Sequence, residues 1–307
     1  MITSRTARAG ILLFCLVLHA CDKPKSTASF AERPKGPLSL EDGRKYMLDL
    51  INRDREAEGL RPVELDEVAT SSAQRHAEDM AAHGFTAHWG SDGSVPEQRY
   101  TEAGGVHMVQ ENAACFFDGV PRTLDKQAKF DLAELEKLER AFMSEVAPND
   151  GHKLNIIKPV HNRVGIGLAQ PLNVNQPCLA QEFVDHYGDY EALPKEASRG
   201  QRVSIKGEVE EPVEFGGVGI ARIEPAAPLT PQHLNSTSVY RIPEPAILYF
   251  PAGFKTPKPV KVDGRAFQID VPLDLQGKPG RYEVSIWGKY PGDDALVIVS
   301  LRTIRVR

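Results

Sequence analysis

Asp66-Glu-Val-Ala-Thr-Ser-Ser-Ala-Gln-Arg-His-Ala-Glu-Asp-Met-Ala-Ala-His-Gly84 opens on a residue suited to capping a helix and closes on a glycine. Between them Ala69, Ala73, Ala77, Met80 and Ala81 recur at helical spacing and make a face of small side chains. Small residues let a helix pack closely on a sheet. Upstream, Ser39-Leu40-Glu41-Asp42 reads as another capped helix start, with Tyr46, Met47, Leu50 and Ile51 behind it and Gly59 as its end. Downstream, Leu132, Leu135, Leu138 and Phe142 form one stripe of a predicted helix over 125–146. Strand-like runs follow at 163–169 and 178–186. Helices around a small sheet predict an α/β fold, an α-β-α sandwich over 39–190.

Beyond it the pattern changes. Residues 191–200 are polar, contain Pro194, and read as a linker. Then Val203 and Ile205, Val218 and Ile220, Ile247 and Tyr249, Phe267 and Ile269 alternate with period two. The runs 282–287 and 297–304 extend the series, separated by Pro- and Gly-rich turns. Six or seven short strands predict an all-β, immunoglobulin-like sandwich over 200–307.

At the other end, Arg5 and Arg8 precede an apolar run, Ile11 to Leu18, that is too short to span a bilayer. Leu18-His19-Ala20-Cys21 resembles the bacterial lipobox, in which the cysteine is acylated and becomes the new N-terminus. This reading makes 1–20 a lipoprotein signal peptide, Cys21 the lipidation site and 21–38 a flexible tether. It places the protein in the bacterial cell envelope, bound to a membrane through its lipid. An ordinary cleaved leader is the alternative. The 307-residue chain carries a formal charge of -5, and loss of Arg5 and Arg8 with the leader brings it to -7. That balance, without a basic stripe, argues against nucleic acid as a partner. Cys115 and Cys178 would remain beside Cys21, either as a disulfide or as two buried thiols.

The segment Leu50-Ile-Asn-Arg-Asp-Arg-Glu-Ala-Glu-Gly-Leu60 is followed in order by Ala77-Glu-Asp-Met-Ala81, Phe85-Thr-Ala-His88, Gln110-Glu-Asn112, Gly151-His-Lys-Leu-Asn-Ile-Ile157 and Val164-Gly-Ile-Gly167. This order resembles the CAP superfamily, named for cysteine-rich secretory proteins, antigen 5 and pathogenesis-related 1 proteins. The resemblance implies a cleft lined by His88, Glu111, Glu145 and His152. Two imidazoles can hold a divalent cation such as Zn2+, and nearby carboxylates can fix their tautomers. His88 and His152 alone give one protein ligand fewer than the usual catalytic zinc site, so weak binding is expected.

Some positions depart from the family pattern. Gln110 replaces a glycine, Phe142 a tryptophan, and Arg163 a third histidine, with His161 two residues before it. His76, His83, His107 and His186 are read as having no site role. No H-E-x-x-H, G-x-S-x-G or P-loop pattern occurs. The leading expectation is a binding or interaction module whose cleft takes a divalent metal, a small molecule or a lipidic ligand, with the sandwich presenting edges to a protein or glycan. The alternative is a metal-assisted, protease-like hydrolase using the same tetrad.

Overall fold

The structure is a computed structural model that describes residues 33–237 and 239–307. The leader and Cys21 lie outside the described residues. The α/β region runs α1 (Leu40–Ala57), β1 (Glu64–Leu65), α2 (Glu67–His83), α3 (Pro96–Ala103), β2 (Met108–Ala114), α4 (Leu132–Met143), α5 (Gly151–Ile156), β3 (Arg163–Ala169) and β4 (Cys178–Asp185). Its sheet has the order β1-β3-β4-β2, with β1 parallel to β3 and the other pairs antiparallel. Strand β2 is therefore an edge.

Period two sorts the two faces by size. Val164, Ile166, Leu168, Leu179 and Phe183 pack with Met47, Ile51, Leu135, Phe142 and Ile156 from α1, α4 and α5. The opposite face is small. Ala113, Cys178 and Ala180 meet Ala73, Ala77, Met80 and Ala81 of α2.

Gly165 and Gly167 complete that contact. A Cβ on Gly165 would lie 2.1 Å from the carbonyl carbon of Ala69, and one on Gly167 would lie 2.1 Å from the carbonyl oxygen of Ala73. The obstacle is helix backbone, which no rotamer change can clear. Gly167→Ala is therefore expected to cost about 3 kcal/mol, at the upper end of ordinary overpacking, read as a lowered urea midpoint. Gly151→Ala, where nothing lies within 4 Å of the added Cβ, should leave the midpoint unchanged.

The motif residues of α1 are fasteners. Asn52 donates to the Val63 carbonyl at 2.9 Å and accepts from the Val63 N–H at 2.8 Å, fixing the approach to β1. The buried Arg55 guanidinium donates to the carbonyls of Arg61, Ile156, Lys158 and His161 at 2.7–3.0 Å. It thereby ties the end of α1 to the loop that follows α5.

The all-β region consists of β5 (Gly188–Tyr190), β6 (Glu196–Ala197), β7 (Arg202–Val209), β8 (Glu214–Ile223), a short α6 (Pro231–Leu234), β9 (Ile247–Tyr249), β10 (Lys261–Asp263), β11 (Ala266–Pro272), β12 (Gly280–Lys289) and β13 (Val297–Val306). Two sheets, β10-β11-β7-β5 and β6-β13-β12-β8-β9, enclose Ile205, Ile269 and Val271 against Val218, Val284, Ile286 and Ile304. The fold is thus an α/β region followed by an all-β one.

The join between them is structured. In the stretch read as a linker, Glu196 and Ala197 pair with Arg305 and Val306 of β13, and Tyr190 already belongs to the all-β core. Residues 34–307 make one unit. Within it Ser300 Oγ donates to the Val106 carbonyl at 2.6 Å, and the Thr303 N–H to Thr101 Oγ1 at 3.2 Å. Polar composition reads as a linker because sequence alone does not show that its backbone groups find strand partners.

The helix expected over 125–146 covers only α4, because Asp131 accepts from the Ala133 N–H at 2.8 Å and caps it there. Just before, Phe130 is held in a bridge to Leu38. The short α3 and α5 leave too few turns for a periodic signal. Among the described residues, no helix is long and apolar enough to cross a membrane. Cys115, just past β2, and Cys178, the first residue of β4, form a disulfide.

Candidate functional site

Glu111 is carried by the edge strand β2 and His152 by α5, and the asparagines of their motifs lock the two segments together. Asn112 donates to the His152 carbonyl and to Gln181 Oε1, both at 3.0 Å, while Asn155 donates to Asn112 Oδ1 at 3.0 Å. Gln181 in turn donates to Glu139 Oε2 at 2.7 Å. Burial pushes the Glu139 carboxyl up to about 8, although that hydrogen bond acts the other way. Glu139 therefore holds its proton at neutral pH, and the polar chain ends in a neutral group.

All four tetrad residues line one cleft of about 500 Å³. They form two imidazole–carboxylate pairs. His88 Nδ1 lies 3.0 Å from Glu111 Oε1, and His152 Nδ1 lies 2.5 Å from Glu145 Oε1. The second oxygen of Glu145 accepts from the His152 N–H at 3.0 Å, and the His152 ring lies 4.5 Å from that of Phe142. A neutral ring that donates Nδ1–H to its carboxylate carries its lone pair on Nε2. The His88 side chain is 25% exposed and that of His152 is 32% exposed, so solutes reach both.

The two carboxylates differ. Glu145 is partly exposed, whereas the Glu111 side chain is fully buried. Its second oxygen accepts from Arg99 Nη2 at 2.6 Å, and Arg99 also donates to the carbonyls of His88 and Ser94 at 3.1 Å. Burial alone would raise Glu111, but the Arg99 cation, His76 and the His88 hydrogen bond outweigh it and hold the carboxyl at about 2. His76 is buried behind it, with Nε2 donating to the Ala87 carbonyl at 2.7 Å and lying 3.6 Å from Glu111 Oε1. Burial and then the Arg99 charge lower His76 to about 4, so it is neutral.

Glu182, opposite Glu111 across the β2–β4 pair, accepts from Ser72 Oγ at 2.7 Å. Burial and the Glu111 charge push its carboxyl well upward. Beneath the cleft Arg99 and Glu111 thus stand as a cation and an anion in direct contact, the arrangement a buried site tolerates.

Sequence reasoning missed Arg99 and gave His76 no role; neither stands beside the tetrad in sequence. Among the other histidines, His83 is exposed beside Asp79, and His107 stacks on His186 at 4.0 Å. His161 is buried against Asp185 at 2.5 Å, and Arg163 pairs with Glu64; both stand apart from the residues that line the cleft. Gln110 lies on the cleft and accepts from Lys158 Nζ at 2.5 Å.

A further wall comes from the all-β region. Val239, Tyr240 and Ile242 line the same cleft, Tyr240 donates to Glu97, and its ring sits edge-on to Trp89 at 5.1 Å. The preceding residues hold that segment in place. Asn235 accepts from the Thr86 N–H at 3.0 Å, and Leu234 is buried against the α2 face. No periodic signal marks this Pro-rich stretch, so its return to the α/β region was not legible.

Among the described residues, no group of three or more His, Cys, Asp or Glu side chains is disposed to hold a metal ion.

Residues 48–175 match the model of the cysteine-rich secretory protein family, CAP. The uncharacterized protein YkwD of Bacillus subtilis (strain 168) is 22% identical over 134 residues, which are 44% of this chain and 45% of that protein. The chain thus spans less than half the length of this curated relative. An extracellular SCP-domain protein from Bacillus anthracis str. Ames is similar over 48% of this chain and 44% of its own, with 20% identity and a TM-score of 0.35. An outer surface protein from Borrelia burgdorferi is similar over 49% of this chain and 97% of its own, with 15% identity and a TM-score of 0.34.

Proposed function

We propose that this chain, with CAP-family character over residues 48–175, is an exported lipoprotein tethered to the bacterial cell envelope through Cys21, and that its cleft is a binding site. The observation that carries the reading is the pairing of His88 with Glu111 and of His152 with Glu145 on one cleft of about 500 Å³, a volume suited to a small molecule. Each imidazole presents an acceptor nitrogen whose tautomer is set from behind. The apolar rim of Val239 and Ile242 suits a ligand with a lipidic part.

A divalent cation such as Zn2+ fits the donor chemistry of His88 and His152, with water in the remaining positions. When bound, it would supply a Lewis-acidic centre for a polar head group. Glu111 and Glu145 orient the rings in this reading. Two protein ligands give modest affinity.

Hydrolysis is the second reading. Glu111 is poorly suited to activate water, because both oxygens are engaged and its carboxyl is held at about 2. Glu145 is the remaining base. The all-β region would contact a protein or glycan.

Zinc titration calorimetry on the purified chain tests the metal. Saturable binding is expected, weakened about 100-fold by His88→Ala or His152→Ala and about tenfold by Glu145→Gln. Binding that survives both histidine changes would place the metal elsewhere. No binding to the parent would remove the metal and its hydrolytic reading together.

A further inference from the structure

A second cavity, of about 680 Å³, opens where α3 meets β12 and β13. It shares no lining residue with the cleft. Lys195, Arg281, Arg305 and Arg307 line it, against two carboxylates, Glu102 and Glu196. Both acids are engaged. Glu102 accepts from Arg75 at 2.5 Å, and Glu196 is shared between Arg307 at 2.7 Å and Arg305 at 3.3 Å. Lys195 has no ion-pair partner among the described residues.

Arg281 is the informative wall. Its side chain is only 9% exposed, yet Nη1 donates to the neutral amide of Gln98 at 2.9 Å, and Nε has no hydrogen-bond partner among the described residues. The nearest acid, Glu283, stands 3.4 Å from Nη2. Burial and the neighbouring Glu97 carboxylate push that carboxyl up to about 9, so it keeps its proton at neutral pH. The Arg281 guanidinium is thus largely buried, with its nearest carboxyl at 3.4 Å and its Nε unpaired among the described residues, and an anion in the adjoining cavity would stabilise its charge. Pro225, Pro279 and Val306 supply apolar wall, so the space suits more than an inorganic ion.

We propose that this junction cavity, bounded by Arg281, Lys195 and Arg305, binds an organic anion that carries its charge on an apolar body. The anionic head faces the cations and the body lies along the proline-lined wall. Its occupant would contact α3 from the α/β region and β12 and β13 from the all-β region together.

The test uses 8-anilinonaphthalene-1-sulfonate as the probe on the purified chain, followed by fluorescence and calorimetry. The proposal expects one saturable site whose affinity falls about tenfold or more in Lys195→Glu/Arg305→Glu. Added salt should weaken it as well. Both replaced side chains are exposed, and an unchanged melting curve would establish that the variant is folded. If charge reversal impairs folding, Lys195→Gln/Arg305→Gln gives the same reading by removing the charge alone. The proposal is overturned by any of four results. These are no saturable site, unchanged affinity in the folded variant, equal affinity for the neutral N-phenyl-1-naphthylamine, or loss of binding in His152→Ala, which would put the probe in the cleft.

Discussion

Arg99→Leu is expected to lower stability at pH 7 by about 3–5 kcal/mol, because it leaves the Glu111 carboxylate buried without its cation. The effect should carry a pH signature. In the parent, Glu111 is held at about 2 against an ordinary 4.5, so its contribution is present above 4.5 and is lost as pH falls toward 2. In the variant, burial loses its strongest opponent and Glu111 takes up a proton more readily. Its penalty is then largest at neutral pH and relaxes in acid. Urea unfolding at pH 7 and pH 4 should show the gap between the two proteins narrowing, and Arg99→Leu/Glu111→Leu should recover most of the loss. A gap of equal size at both pH values, or one below about 1 kcal/mol at pH 7, would mean that the pair does not hold the cleft floor.

Removing the disulfide with Cys115→Ala/Cys178→Ala is expected to cost about 4 kcal/mol. The two cysteines are 63 residues apart, and closing a loop of that length restricts the unfolded chain by roughly this amount. The loop contains α4, α5 and β3 and therefore both Glu145 and His152. Urea unfolding of parent and variant, each with and without dithiothreitol, separates the causes. The reductant should bring the parent down to the level of the variant and leave the variant where it is. A parent insensitive to reductant under unfolding conditions would show that the bridge does not form in the protein.

Much of the α/β region could be read from local pattern because its signals repeat over several turns. The alanine face of α2, with caps at Asp66 and Gly84, appears with its ends in place. The alternating runs of the all-β region likewise became strands. Shorter elements carried no such repetition: α5 has six residues and β1 has two. Their positions follow from partners far away, such as the Arg55 guanidinium on the carbonyls after α5. The tetrad could be named because its residues sit in motifs, but the motifs do not state which atoms meet. Nothing near Glu111 in sequence announces Arg99, and nothing in 224–246 announces a wall of the cleft.

Residue order alone thus specified the two kinds of secondary structure and their succession along the chain, while the residue types at the cleft were implied by the family resemblance. Helical period, strand period and capping chemistry act over a few neighbours and need no knowledge of the rest of the chain. The fused junction, the charge state of the buried acids and the third wall of the cleft came from tertiary structure. Each depends on groups more than ten residues apart meeting in a low-dielectric interior. There burial raises Glu139, Glu182 and Glu283, and the nearby Arg99 cation, ahead of His76 and His88, keeps Glu111 ionised.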